Sequence, residues 1–172
     1  MRNEPGTARP ITVYGEPVLH ARCADVSVYD DGLAALIADM FASMYAAEGI
    51  GLAANQIGVG LRVFVYDCPS ETDDARFVGH VVNPVLAAPK GRAHRQVDSE
   101  GCLSVPGPYA DLARADIATV TGCDSQGRPL AIRGTGLLAR CFQHEVDHLD
   151  GVVYVDRLPG KRREAVLAAA GL

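Results

Sequence analysis

The stretch QHEVDHLDG, residues 143–151, restricts what this chain can fold into more than any other. On an α-helix of about 3.6 residues per turn, His144 and His148 project from one face, one above the other, and can grip a single metal ion. Glu145 sits beside them, placed to take a proton from water polarised by that ion, which is the logic of H-E-x-x-H hydrolases. The bland alternative is a solvated helix face that happens to carry two histidines. A third ligand elsewhere in the chain decides between the two.

With 172 residues, 48% of them hydrophobic, the chain can bury one sizeable core and does not argue for two, so residues 1–172 read as one domain. The net charge is −5, and the longest basic run is residues 161–163, which leaves no electrostatic footprint for nucleic acid. MRNEPGTARP lacks the apolar segment of a leader, and no stretch approaches the roughly 18 apolar residues of a membrane span. The expectation is a cytoplasmic protein. Cysteines at 23, 68, 102, 123 and 141 are odd in number and without a C-x-x-C pair, which fits a reducing compartment. Cys23, Cys68 and Cys123 read as small packing residues.

Asp30-Asp31-Gly32 offers a helix N-cap, and Leu33, Leu36, Ile37, Met40, Phe41, Met44 and Tyr45 form an apolar stripe at helical spacing with Gly49 as terminator. Strands are expected at LRVFVYD (61–67) and FVGHVVNPVLAA (77–88). ADIATVTGCD and RPLAIRG read as a hairpin across Ser125-Gln126-Gly127, and EAVLAAAGL as a short terminal helix. His80 and His94 have no spaced partner and read as structural.

The glycine-rich GIGLAANQIGVG (49–60) lacks the G-K-[ST] ending of a phosphate loop. It reads instead as a bare strand edge to which an extended peptide can add by main-chain hydrogen bonds, with Gln56 aimed into the site. SEGCLSVPG (99–107) reads as a tight, exposed turn held by Pro106. There Cys102 could complete a Cys/His/His site with a fourth position left for water, provided turn and helix meet across 42 residues of sequence. A zincin-type peptidase usually takes its third ligand downstream of the helix, but only 24 residues follow His148 and none is histidine. A non-enzymatic metal-binding protein stays open if Glu145 never meets water.

Taken together and in this order, GIGLAANQ (49–56), EGCLS (100–104) and QHEVDH (143–148) resemble the three motifs of the bacterial peptide deformylases, over roughly residues 9–158. The resemblance implies a single α+β domain with mixed or antiparallel strands wrapped around the H-E-x-x-H helix. It implies removal of the formyl group from N-formylmethionyl peptides of newly made proteins, with release of formate. Cys102, His144 and His148 would hold one divalent ion, natively Fe²⁺, with Ni²⁺, Co²⁺ or Zn²⁺ possible in a purified sample. Glu145 would serve as general base and then acid, with the Gln56 amide and the Leu103 backbone N–H as oxyanion donors. Gly49, Ile50, Gly51, Leu137 and Cys141 would form the substrate pocket. The expected partners are nascent chains at the ribosome, with no direct nucleic-acid or membrane binding, and the expected state is a monomer. Two positions depart from the pattern. Tyr109 stands seven residues after Cys102, where several members carry an arginine that meets the substrate backbone. Arg140 stands where others are often apolar, and is expected at the pocket rim or pointing to solvent.

Overall fold

The computed structural model describes residues 6–87 and 94–172; residues 1–5, and Ala88 at the end of the second expected strand, lie outside the described residues. Asp30 opens the first helix as its sequence suggests, its carboxylate accepting the Leu33 N–H at 3.0 Å, and α1 runs Asp31–Ala46. Leu33, Leu36, Ile37, Met40 and Met44 are buried and Phe41 half-buried. Tyr45, the last member of the stripe, is exposed instead, its hydroxyl donating to Asp67 at 2.8 Å. Nor is Gly49 the left-handed terminator: Glu48 takes that conformation (φ 56°), and the Gly49 N–H closes on the Met44 carbonyl at 2.9 Å.

The chain continues through β1 (Gly51–Ala53), a 3₁₀ turn (Ala54–Ile57), β2 (Val63–Pro69), β3 (Arg76–Leu86), β4 (Arg95–Cys102), β5 (Val105–Ala115), β6 (Ile117–Cys123) and β7 (Pro129–Thr135). Helix α2 (Gly136–Leu149), a 3₁₀ turn (Tyr154–Arg157) and α3 (Gly160–Ala169) complete it, so the last helix takes in residues 161–163 ahead of the expected EAVLAAAGL. Strand pairing is antiparallel throughout the named strands: β1-β2-β3-β6-β7 form one sheet of five, and β4-β5 a separate sheet of two. The α+β expectation holds, and no helix among the described residues is long and apolar enough to cross a membrane.

Strand β2 explains the layering. Its alternation sends Phe64, Tyr66 and Cys68 into one cluster with Leu138, Cys141, Phe142, Val146 and Leu149 of α2, while Val63 and Val65 join the α1 stripe. The two helices therefore cover opposite faces of the sheet. The Phe142 ring meets Tyr66 edge-on at 5.2 Å and Phe64 at 5.9 Å. Gly151 (φ 80°) stops α2 just past His148, where a Cβ would come within 2.9 Å of the Ala21 backbone.

The β4–β5 hairpin is where structure and expectation part. SEGCLSVPG is not an exposed turn: Cys102 pairs with Val105, and Ser104 and Val105 are fully buried. The hairpin rests on its own apolar cluster, formed by Leu19, Val105, Ala110 and Leu112 with Val153, Tyr154, Val155 and Val166. His80 accepts the Ser125 N–H at 3.0 Å, in keeping with a structural role, whereas His94 is exposed and faces Asp116 at 3.6 Å.

Candidate metal centre

Three side chains from two separate parts of the fold converge. His144 and His148 bring their Nε2 atoms to 3.2 Å, and Cys102 Sγ, at the end of β4, lies 3.2 Å from His148 Nε2. All three possible ligand atoms fall within 4.8 Å of one another. A tetrahedral ion bound at about 2.05 Å to nitrogen and about 2.3 Å to sulfur sets ligand–ligand edges of roughly 3.3–3.5 Å, so these residues fit one such ion. His144 Nδ1 is 2.7 Å from Glu100 Oε1, and since a carboxylate only accepts, the proton sits on Nδ1 and the Nε2 lone pair faces the other two groups. Beneath, the Asn55 amide donates to the His148 backbone carbonyl at 2.6 Å. The third candidate ligand thus lies on a strand upstream of the helix, not at the downstream position a zincin uses.

Glu145, next to His144, is 3% exposed, and its Oε2 has no hydrogen-bond partner among the described residues. Burial pushes its carboxyl up to about 7, against the pull of His144 and with help from the Glu100 charge. A carboxyl near neutrality is poised both to take and to return a proton. The bare backbone of β1 lies against it: a Cβ on Gly51 would collide with Glu145 Oε1 and come within 2.8 Å of Cys141 Sγ. Gln56 is oriented by its neighbours, Oε1 accepting the Ala53 N–H at 2.9 Å, so that Nε2 points to Ser104 Oγ (3.2 Å) and Cys102 Sγ (3.6 Å).

A cavity of about 560 Å³ opens over these groups. Gly49, Ile50, Gly51, Gln56, Cys102, Leu103, Leu137, Cys141, His144 and Glu145 all border it, leaving only the fully buried His148 behind the wall. Strand β1 is an edge of the larger sheet, as a peptide-adding strand must be. Tyr109 also borders the cavity, 71% exposed, with its ring packed on Gly101.

Arg140 borders the cavity, the first of its two expected places, and does not point to solvent. It is 8% exposed and donates to Glu100 Oε2 (2.8 Å), the Leu112 carbonyl (3.0 Å) and the Gln96 carbonyl (3.1 Å). Glu100 also takes a two-point bond from Arg114 (2.6 and 3.1 Å), and Arg114 reaches on to Asp147 (2.6 Å), itself paired with Arg157. Burial alone would raise the Glu100 carboxyl, but the hydrogen bonds from His144 and Arg114 hold it well below the carboxylate range. Sequence reasoning passed over this network: Glu100 and Asp147 lie inside two of the motifs and carried that signal, while Arg114 carried none. It also passed over Tyr154, whose ring stacks on His144 at 6.3 Å and whose hydroxyl donates to the Pro108 carbonyl at 3.1 Å.

Two histidines and a cysteine able to hold one ion, with a buried carboxylate alongside and a cleft above, are the equipment of a single-metal hydrolase. The model of the polypeptide deformylase family matches residues 8–164, and the chain belongs to that family of metal-dependent enzymes, which remove the N-formyl group from newly made peptides. It is 54% identical over 162 residues to peptide deformylase 2 of Streptomyces coelicolor, covering 94% of this chain and 89% of that one. To a peptide deformylase of Mycolicibacterium paratuberculosis it is 53% identical over 161 residues, 88% and 82% of the two chains. Among solved structures, a peptide deformylase from Legionella pneumophila matches with a TM-score of 0.84 at 39% identity, over 95% and 94% of the chains. The enzyme from Ehrlichia chaffeensis in complex with actinonin matches at 0.86 and 32% identity over 95% of each.

Proposed function

We propose that this chain is one catalytic unit that removes the formyl group from N-formylmethionyl peptides, with Cys102, His144 and His148 as ligands of a native Fe²⁺. The observation that carries the reading is the convergence of those three side chains beside Glu145 under a cleft bordered by the β1 edge. An ion held there would supply Lewis acidity toward water and the formyl carbonyl. Glu145 takes a proton as water adds to the formyl carbon and hands it to the departing peptide nitrogen, so that formate and a free N-terminus leave. The Gln56 Nε2 and the Leu103 backbone N–H donate to the formyl oxygen as charge develops on it, each worth on the order of 3 kcal/mol. Ile50, Leu137 and Cys141 receive the methionine side chain, whose flexible thioether suits such a wall, while Gly49 and Gly51 let the peptide backbone come close.

Fe²⁺ is proposed on the family resemblance and on the donor set. A thiolate ligand weakens the acidity of the bound ion, which disfavours one at ease with four ligands, so Fe²⁺, Ni²⁺ or Co²⁺ forms should outpace Zn²⁺. We further propose a cytoplasmic monomer that works on nascent chains at the ribosome, where formylated N-termini arise.

Formate release from formyl-Met-Ala-Ser, measured beside acetyl-Met-Ala-Ser and unformylated Met-Ala-Ser, tests the reading. Turnover of the formyl peptide alone is expected. Comparable kcat/KM on the acetyl peptide, or cleavage of an internal amide, overturns it.

A further inference from the structure

The candidate metal centre draws its ligands from two units that share no sheet hydrogen bonds: α2, seated on the five-stranded sheet, and the β4–β5 hairpin, which is a sheet of its own. Something other than strand pairing has to fix how far Cys102 stands from the two histidines. We infer that Arg140 is a positioning residue for the centre, a buried brace that holds the hairpin carrying Cys102 against the helix carrying His144 and His148.

The geometry is specific. Arg140 lies one turn before His144, on the same face of α2. Its guanidinium reaches both strands of the hairpin, donating to the Gln96 carbonyl and Glu100 carboxylate of β4 and to the Leu112 carbonyl of β5, at 2.8–3.1 Å. Glu100, two residues before Cys102, then returns to α2 through His144 Nδ1 at 2.7 Å. One carboxylate is thereby gripped twice by the same helix, and the second grip sets the orientation of the His144 ring. Neutralising Glu100 does not call for Arg140, because Arg114 already meets that carboxylate at two points. Burying a further cation is costly, and what this one gains is three acceptors spread over two strands. A lysine keeps the charge but lacks the rigid planar fork that reaches all three.

The inference rests on Cys102, His144 and His148 being the ligand set, and its test separates the two. Arg140→Met and Arg140→Lys are compared with Arg62→Met, which removes an equally buried arginine that joins Leu149 and Asp150 to the Pro84 carbonyl and bonds to no hairpin atom. Each is loaded with Co²⁺. The readings are release of the ion to a chelator, the visible bands of the bound ion, amide exchange of residues 95–115 and Tm. Both Arg140 variants should release Co²⁺ on the order of 10- to 100-fold faster, with shifted bands and faster exchange confined to the hairpin. Arg62→Met should lower Tm and leave release and bands as in the wild type. Arg140→Lys matching wild-type release, or Arg140→Met differing from wild type only in Tm, overturns the brace; should Arg140→Met fail to fold, Arg140→Lys decides by the same readings. Wild-type protein that takes up no Co²⁺ overturns the ligand set and the brace with it.

Discussion

Against the five-stranded sheet, α2 presents Leu138, Cys141, Phe142, Val146 and Leu149 and is held by burial of apolar surface. Against the β4–β5 hairpin the same helix presents Arg140, His144 and Asp147, and is held by ion pairs and hydrogen bonds. Apolar contact is non-directional and supplies the larger share of stability, at about 25 cal/mol per Å² removed from water. Buried ion pairs come close to breaking even once desolvation is counted, so their net contribution to stability is small. What they add is direction, since each bond fixes a distance to a few tenths of an ångström, the tolerance that three ligand atoms must meet to share an ion. Stability thus comes mainly from one side of the helix and precision from the other.

The largest effects are expected where both sides meet. Cys102→Ala on the hairpin and His144→Ala on the helix should each abolish stoichiometric metal. Glu145→Gln should keep the metal and lose on the order of 10³-fold or more in kcat, as removal of a general base does. Metal analysis alongside single-turnover kinetics checks this. A Glu145→Gln protein that purifies without metal would mean that the carboxylate belongs to the ligand set.

Next comes a pair matched in cost but not in consequence. Phe142→Ala should destabilise by about 3–5 kcal/mol through the cavity it leaves. Arg114→Met should cost about 3–5 kcal/mol by depriving Glu100 and Asp147 of their shared cation. Chemical denaturation should not tell them apart, but metal affinity per folded molecule should fall only in Arg114→Met. Adding Asp147→Asn to Arg114→Met should restore part of the stability, because Glu100 keeps Arg140 and the Arg157 left behind is half-exposed, and none of the affinity. If Phe142→Ala loosens the metal as much as Arg114→Met does, the division of labour drawn here is wrong.

The same division decides how much was legible in the sequence. The apolar side was in part, because the α1 stripe recurs at 3.6 and β2 reads as a strand, while the same spacing at Leu138, Cys141, Phe142, Val146 and Leu149 of α2 is overshadowed by the histidines. The three motifs, with the resemblance they carry, also pointed to the candidate ligands, Glu145, Gln56 and the pocket wall, each of which borders the cavity or stands just behind it. The ionic side was not legible, since Glu100, Arg114, Arg140, Asp147 and Arg157 follow no period and only the fold brings them together. SEGCLSVPG misled for a related reason. Its glycines and Pro106 are turn formers, but a two-stranded sheet has two free edges and tolerates proline there. Glu48 takes the left-handed position expected of Gly49, and Gly49 keeps its own reason: a Cβ there would come within 2.8 Å of Leu103 Cδ1.

A smaller effect is expected where the larger sheet reaches the centre directly, at Gly51. Gly51→Ala should push Glu145 and Cys141 aside, costing on the order of 10²-fold in kcat/KM, the penalty of moving a reacting group by about 1 Å. Tm and metal content should stay close to wild type, because the sheet core and the hairpin brace are untouched. Unchanged kinetics would mean that the carboxylate can move without loss, contrary to a fixed proton carrier.

The smallest effect separates the two sides by pH. His80 in β3 accepts the Ser125 N–H, and burial lowers its pKa below the ordinary histidine value, with Asp124 pulling weakly the other way. The folded protein favours the neutral ring, so on acidification the unfolded chain takes the proton first. Stability from this group is therefore full above the unfolded pKa of about 6.5 and declines as pH falls through it. Glu100 is opposite in kind: its folded pKa is depressed, so its contribution is present above the ordinary carboxylate value of 4.5 and is lost only below it. Between pH 7 and pH 5, then, the sheet side should weaken while the ionic side holds. Amide exchange corrected for intrinsic rates should rise in β3 and in the turn between β6 and β7, with residues 95–115 unchanged. His80→Gln, which keeps an acceptor for Ser125 and has no charge to gain, should flatten the dependence. A hairpin that loosens first over this range, or an acid-induced rise of β3 exchange that survives His80→Gln, would remove the acid-sensitive role from His80 and overturn the contrast between the two faces of α2.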